Sequence, residues 1–141
     1  MSLWMSANVK FVLCGHVNVS EFQRIVGKEC GYDDLIACNP WECEDKFLPL
    51  GSEGTLDIYP VRMSKKTTTY LVSGNLRDKW NTQYIADWFN RVTQNSKVIK
   101  AIGETSLDSE KPIPLKFMRP HKNFCSYWML YGEPILCKPR I

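Results

Sequence analysis

Between Lys79 and Gln94 the chain places Trp80, Tyr84, Ile85, Trp88, Phe89 and Val92 at successive spacings of 4, 1, 3, 1 and 3. Those intervals gather six large apolar side chains onto one broad face of a single helix. Thr82, Asp87, Asn90, Arg91 and Gln94 take the other side, and Asn95-Ser96 ends the pattern. Burying one such side chain is worth about 1.5–3 kcal/mol, so a helix like this needs a second layer to sit on. Core packing, and not a cofactor site, is the reading its width and period support.

The rest of the chain supplies strands for that layer. Val9, Phe11 and Leu13 alternate with Lys10, Val12 and Cys14 before Gly15, which predicts a strand over 9–14. Asn18 is placed to cap a second helix with Glu21 reaching back, and Phe22, Ile25 and Val26 form its stripe. Residues 55–61 and 67–75 are rich in β-branched and aromatic side chains and flank Ser64-Lys65-Lys66, which predicts a hairpin. Pro60 sends the first of these strands to an edge or a bulge, because proline cannot donate to a ladder. Asp78 is the expected cap of the long helix, and a strand over 97–105 follows, with Val98, Ile99, Ala101 and Ile102 as its apolar positions. Ile113, Leu115 and Phe117, then residues 124–131, a Tyr-Gly-Glu-Pro turn and residues 135–137 read as further strands.

The element order predicts an α+β chain: a ferredoxin-like split βαβ sandwich (βαββαβ) with two or three additional C-terminal strands that extend the sheet or cover its open face. With 141 residues, 44% apolar and 23% charged, the expectation is one globular domain spanning 1–141. Two regions stand apart. Residues 27–54 lose periodicity and collect Cys30, Cys38 and Cys43, and the first 54 residues carry 4 basic and 8 acidic groups. Residues 111–141 form a basic extension with 6 basic groups and 1 acidic group.

Residues 1–15 lack a basic leader and interrupt their apolar run with Lys10, which is not the pattern of a signal peptide. No stretch approaches the length of a membrane span. A cytoplasmic chain is therefore expected, with its six cysteines as thiols and Asn18-Val19-Ser20 serving as a helix cap instead of a glycosylation site.

Phosphate-binding loops, the dinucleotide glycine fingerprint, HExxH, EF-hand loops and CxxC pairs are absent from the sequence. No catalytic residue, metal ligand or cofactor is assigned, and the balance of the sequence is against an enzyme. The leading reading is a small non-enzymatic interaction or regulatory module with a protein partner. Its contact candidates are Trp41, Glu42, Glu44, Asp45 and Phe47, where aromatics stand among acids on a long connection. An alternative is a nucleic-acid-binding accessory protein using Lys116, Arg119, His121, Lys122, Tyr127 and Trp128, where basic groups interleave with rings that could stack on bases. A second alternative is a thiol- or metal-dependent enzyme built on Cys14, His16 and the cysteines of the acidic segment, whose spacings differ from the tight pairs of structural zinc sites. The edge strands of such a sheet also leave room for a homodimer.

Overall fold

A computed structural model describes residues 3–27, 48–49, 51–78, 82–108 and 110–119, together with the backbone of 127–130 and 133–136. The strands are β1 (Trp4–Cys14), β2 (Leu56–Met63), β3 (Thr67–Arg77), β4 (Val98–Leu107), β5 (Ile113–Met118), β6 (Tyr127–Leu130) and β7 (Glu133–Leu136). Among the described residues two helices accompany them, α1 (Val19–Val26) and α2 (Gln83–Thr93). Every strand pairs antiparallel with its neighbours in one sheet ordered β2-β3-β1-β4-β5-β6-β7.

This order corrects the ferredoxin-like sandwich expected from the sequence. What forms is one long antiparallel sheet with two helices, not a compact sandwich with appendages. The reason lies in β5: Ile113 to Met118 pairs with Thr105 to Lys100 of β4, so β4 is an interior strand. Leu115 and Phe117 are buried, which carries the core beyond β4. Glu133 and Pro134, expected in a turn, belong to β7 and pair with Leu130 and Met129.

Alternation in β1 decides which face is covered. Met5, Ala7, Val9, Phe11 and Leu13 are buried, whereas Trp4, Asn8, Lys10 and Cys14 are exposed on the opposite face. Phe11 is the hub of the core: its ring centroid lies 5.6 Å from Trp88 edge-on, 5.8 Å from Phe22 and 6.2 Å from Phe89. Phe22 in turn stacks on Tyr70 at 4.3 Å with 10° between the planes. Edge-on and offset-stacked rings add favourable quadrupole terms to the area they bury.

The helix ends are tied by specific groups. Asn18 Oδ1 accepts from the Glu21 N–H at 2.9 Å, and Gly27, at φ 93°, donates its N–H to the Gln23 carbonyl. A left-handed residue at that point costs glycine nothing. The Glu21 carboxylate is engaged by the Lys97 ammonium. The last carbonyls of α1 have no partner within the helix and are met from α2. Trp88 Nε1 donates to the Val26 carbonyl at 3.1 Å, and Arg91 donates to Ile25 at 3.1 Å and Val26 at 2.9 Å. Arg91, read as a solvent-facing residue, is thus a clamp between helices. Asp78 is likewise not the cap expected: it ends β3 at φ 62° and accepts from Ser52 Oγ, while Thr82 precedes α2.

The connection from β1 to α1 is fastened to β3. Thr68 Oγ1 donates to the Gly15 carbonyl at 2.7 Å and accepts from the Val17 N–H at 3.0 Å, and the Tyr70 hydroxyl donates to the Val17 carbonyl at 2.7 Å. Burial of Tyr70, with the Glu21 carboxylate adding to it, raises its pKa above the usual phenol value and keeps it a neutral donor. Pro60 fulfils both roles proposed for it, since β2 is an edge strand and its register shifts between Pro60 and Arg62. Residues 51–55 run beside the end of β3, with Ser52 N–H donating to Arg77 and Arg77 N–H to Glu53.

Candidate interaction face

Both helices pack on the face that carries Phe11, and among the described residues no second layer covers the other face of β2, β3, β1, β4 and β5. The register sets out its side chains in transverse rows. One row runs Tyr59, Leu71, Lys10, Ile102, Lys116. The next runs Arg62, Thr69, Val12, Lys100, Met118. On the other side lie Asp57, Ser73, Asn8, Glu104 and Pro114.

Four exposed apolar side chains mark this face: Tyr59 at 49%, Ile102 at 42%, Met118 at 57% and, farther along β1, Trp4 at 39%. Ile102 has Lys10 and Lys116 as its direct cross-strand neighbours, and Lys100 stands two residues before it on the same strand. With strands about 4.8 Å apart, Lys10 and Lys116 are about 10 Å apart along the sheet. A shallow groove of about 450 Å³ runs between Leu71 and Lys116, floored by Ile102 and Gly103 and flanked by Asn8, Glu104 and Pro114. Gly103 is required there, because a Cβ would lie 2.1 Å from the Asn8 carbonyl oxygen and 2.6 Å from the Val9 Cα.

The three lysines are exposed, and no ion pair joins them to a carboxylate among the described residues. Arg62 adds a fourth cation to these rows, against the carboxylates of Asp57 and Glu104. Cations spaced at this distance are partly screened at physiological salt, where the Debye length is about 8 Å. Their shared field still favours an anionic group placed above Ile102.

Of the residues singled out from sequence, Lys116 lies on this face. Arg119 is committed elsewhere: its guanidinium donates to the Ser96 carbonyl at 2.6 Å and the Thr93 carbonyl at 3.1 Å, and sits 5.4 Å from the Phe117 ring centroid. Tyr127 and Trp128 fall in β6, opposite Met118 and Phe117 in the ladder. His121, Lys122, Trp41, Glu42, Glu44, Asp45 and Phe47 lie outside the described residues, as does Trp80. Cys14 and His16 are exposed beside the end of β1, and among the described residues no group of three or more His, Cys, Asp or Glu is arranged to hold a metal.

Sequence reading missed Lys10, Lys100, Leu71 and Ile102 as parts of one site. The available signal was the polar phase of β1, in which Asn8 and Lys10 interrupt an otherwise apolar strand. Ile102 was read as an ordinary apolar strand position because its own segment is apolar in both phases. No helix among the described residues is long and apolar enough to cross a membrane. Compared with known protein families, curated proteins and solved structures, the chain matches none significantly.

Proposed function

We propose that this protein is a non-enzymatic interaction module whose protein partner docks on the open face of the sheet. The observation that carries the reading is the exposure of Tyr59, Ile102 and Met118 on rows that also hold Lys10, Lys100 and Lys116. A sheet face is normally either covered by another layer or polar, and this one is uncovered among the described residues and partly apolar. Apolar points among cations, aliphatic walls and one nearby carboxylate suit the holding of a partner surface, with the apolar groups giving affinity and the charges orientation.

Photo-crosslinking from chosen positions tests the reading. A benzophenone side chain replaces Tyr59 or Ile102 on the open face, or Gln23 on α1, and the protein is irradiated in extract of its source cells. Adducts from positions 59 and 102 but not from 23 are expected. Adducts of equal yield from all three, or from position 23 alone, would refute the assignment of the face.

A further inference from the structure

We infer that the segment docking on the open face is an acidic amphipathic helix, with apolar side chains set over Ile102 and carboxylates reaching Lys10, Lys100 and Lys116. This inference rests on the reading that the open face is the docking surface.

Three features lead to it. The first is main-chain chemistry. β3, β1, β4 and β5 are each paired on both sides, so their N–H and C=O groups are taken up in the ladder. A segment laid on this face finds no backbone partners there, and an extended segment would bury its own amides unpaired. A helix satisfies its amides internally and can therefore cover the face. The second is charge. Ile102 has three exposed ammonium groups beside it, in no ion pair among the described residues, against the one carboxylate of Glu104 two residues after it on β4; the balance is cationic, so carboxylates flanking an apolar side chain complement it. The third is the nature of the apolar floor. Leu71, Val12, Ile102 and Met118 are aliphatic or thioether groups, while Tyr59 lies on the edge strand, three strands from Ile102, and Trp4 stands six residues from Lys10 along β1, about 20 Å from it. Bases bind by stacking on rings, whereas leucine-like side chains bind to aliphatic surface. The five strands from β2 to β5 span about 19 Å, and a helix of about 14 residues, about 21 Å long, crosses that width.

The test uses the full chain and a fluorescein-labelled peptide of about 14 residues, with Leu at helical i, i+3, i+4, i+7 spacing and Glu on the flanks. A second peptide carries Gln in place of Glu, and a third probe is a single-stranded oligouridine. Fluorescence anisotropy at physiological salt is expected to show the Glu peptide binding at least about 10-fold more tightly than the Gln peptide. The triple variant K10E/K100E/K116E is expected to remove that preference, and the milder K10Q/K100Q/K116Q to reduce it. Ile102→Asn is expected to weaken both peptides, with far-ultraviolet circular dichroism confirming that each variant is folded. Equal affinity for the two peptides would overturn the inference. So would oligouridine that binds more tightly and displaces the peptide, or folded variants that bind as the parent does. If crosslinks from positions 59 and 102 capture a partner while the Glu peptide shows no preference, the docking face stands and the acidic helix falls.

Discussion

The buried Val26 carbonyl accepts from two side chains of α2, Trp88 Nε1 at 3.1 Å and Arg91 Nη2 at 2.9 Å, and this sharing makes a quantitative prediction. Trp88→Phe removes one neutral hydrogen bond and some ring volume, a cost of about 1–3 kcal/mol. Arg91→Met removes charge-assisted bonds to Ile25 and Val26 from a partly exposed position, about 2 kcal/mol. In either single variant the Val26 oxygen keeps a donor. In the double variant it has none among the described residues, and because Val26 is 0% exposed, water has little access to replace them. An orphaned buried acceptor costs about 1–3 kcal/mol, so the double variant is expected to lose that much beyond the sum of the singles. Urea unfolding of the four proteins, followed by tryptophan fluorescence or circular dichroism, measures the cycle. Additivity within about 0.5 kcal/mol would show that solvent or another donor reaches the carbonyl, and would refute this account of how the helices are joined.

Further predictions follow from the same packing. Gly103→Ala drives a methyl group into the backbone of β1, and is expected to cost about 3 kcal/mol or more in urea unfolding; a loss under about 1 kcal/mol would show that the strands can part. Phe11→Ala at the hub is expected to cost about 3–5 kcal/mol, whereas Ile102→Thr on the open face keeps a β-branched side chain and costs about 1 kcal/mol; similar losses would contradict the two-face assignment. Tyr70 has a folded-state pKa raised above that of an unfolded tyrosine, so its contribution is complete below about pH 10 and is lost as pH rises through the folded value. Tyr70→Phe is therefore expected to be less stable than the parent near neutral pH and to show a shallower alkaline decline, read from thermal unfolding across pH 8–11.

What the sequence conveyed best was local. Asn18 caps α1 as read, because capping is decided within one turn of chain, and the loss of periodicity from residue 27 falls where Gly27 ends the helix. The hairpin at Ser64-Lys65-Lys66 and the edge position of Pro60 follow from turn and ladder chemistry, and Ile85, Trp88, Phe89 and Val92 are buried as their spacing implies. The arginines were harder to read, since Arg91 and Arg119 both donate to carbonyls at helix ends that only the tertiary fold brings near them. Ile102 was misjudged for a specific reason. The ladder between β1 and β4 shifts register between Val12 and Leu13, where the partners step from Lys100 to Val98. That bulge puts Val98 and Ala101, three apart, on the buried face and turns Ile102 to the open one. The sheet's extension through β5 was equally hidden, because alternation in Ile113, Leu115 and Phe117 predicts a strand but not which edge it joins. The proposed docking face takes residues 10, 71, 102 and 116 from four strands, and no spacing along the chain links them.

The central claim, that one face of the sheet is core and the other is held open for a partner, is tested most directly by methyl NMR. The protein, labelled at its Ile, Leu, Val and Met methyl groups, is observed alone and in extract of its source cells. Selective broadening at Ile102, Met118, Leu71 and Val12, with exposed Val19 on α1 and buried Val9 and Ile85 unchanged, is the result predicted. Broadening centred on Val19, with the four open-face residues unperturbed, would contradict it.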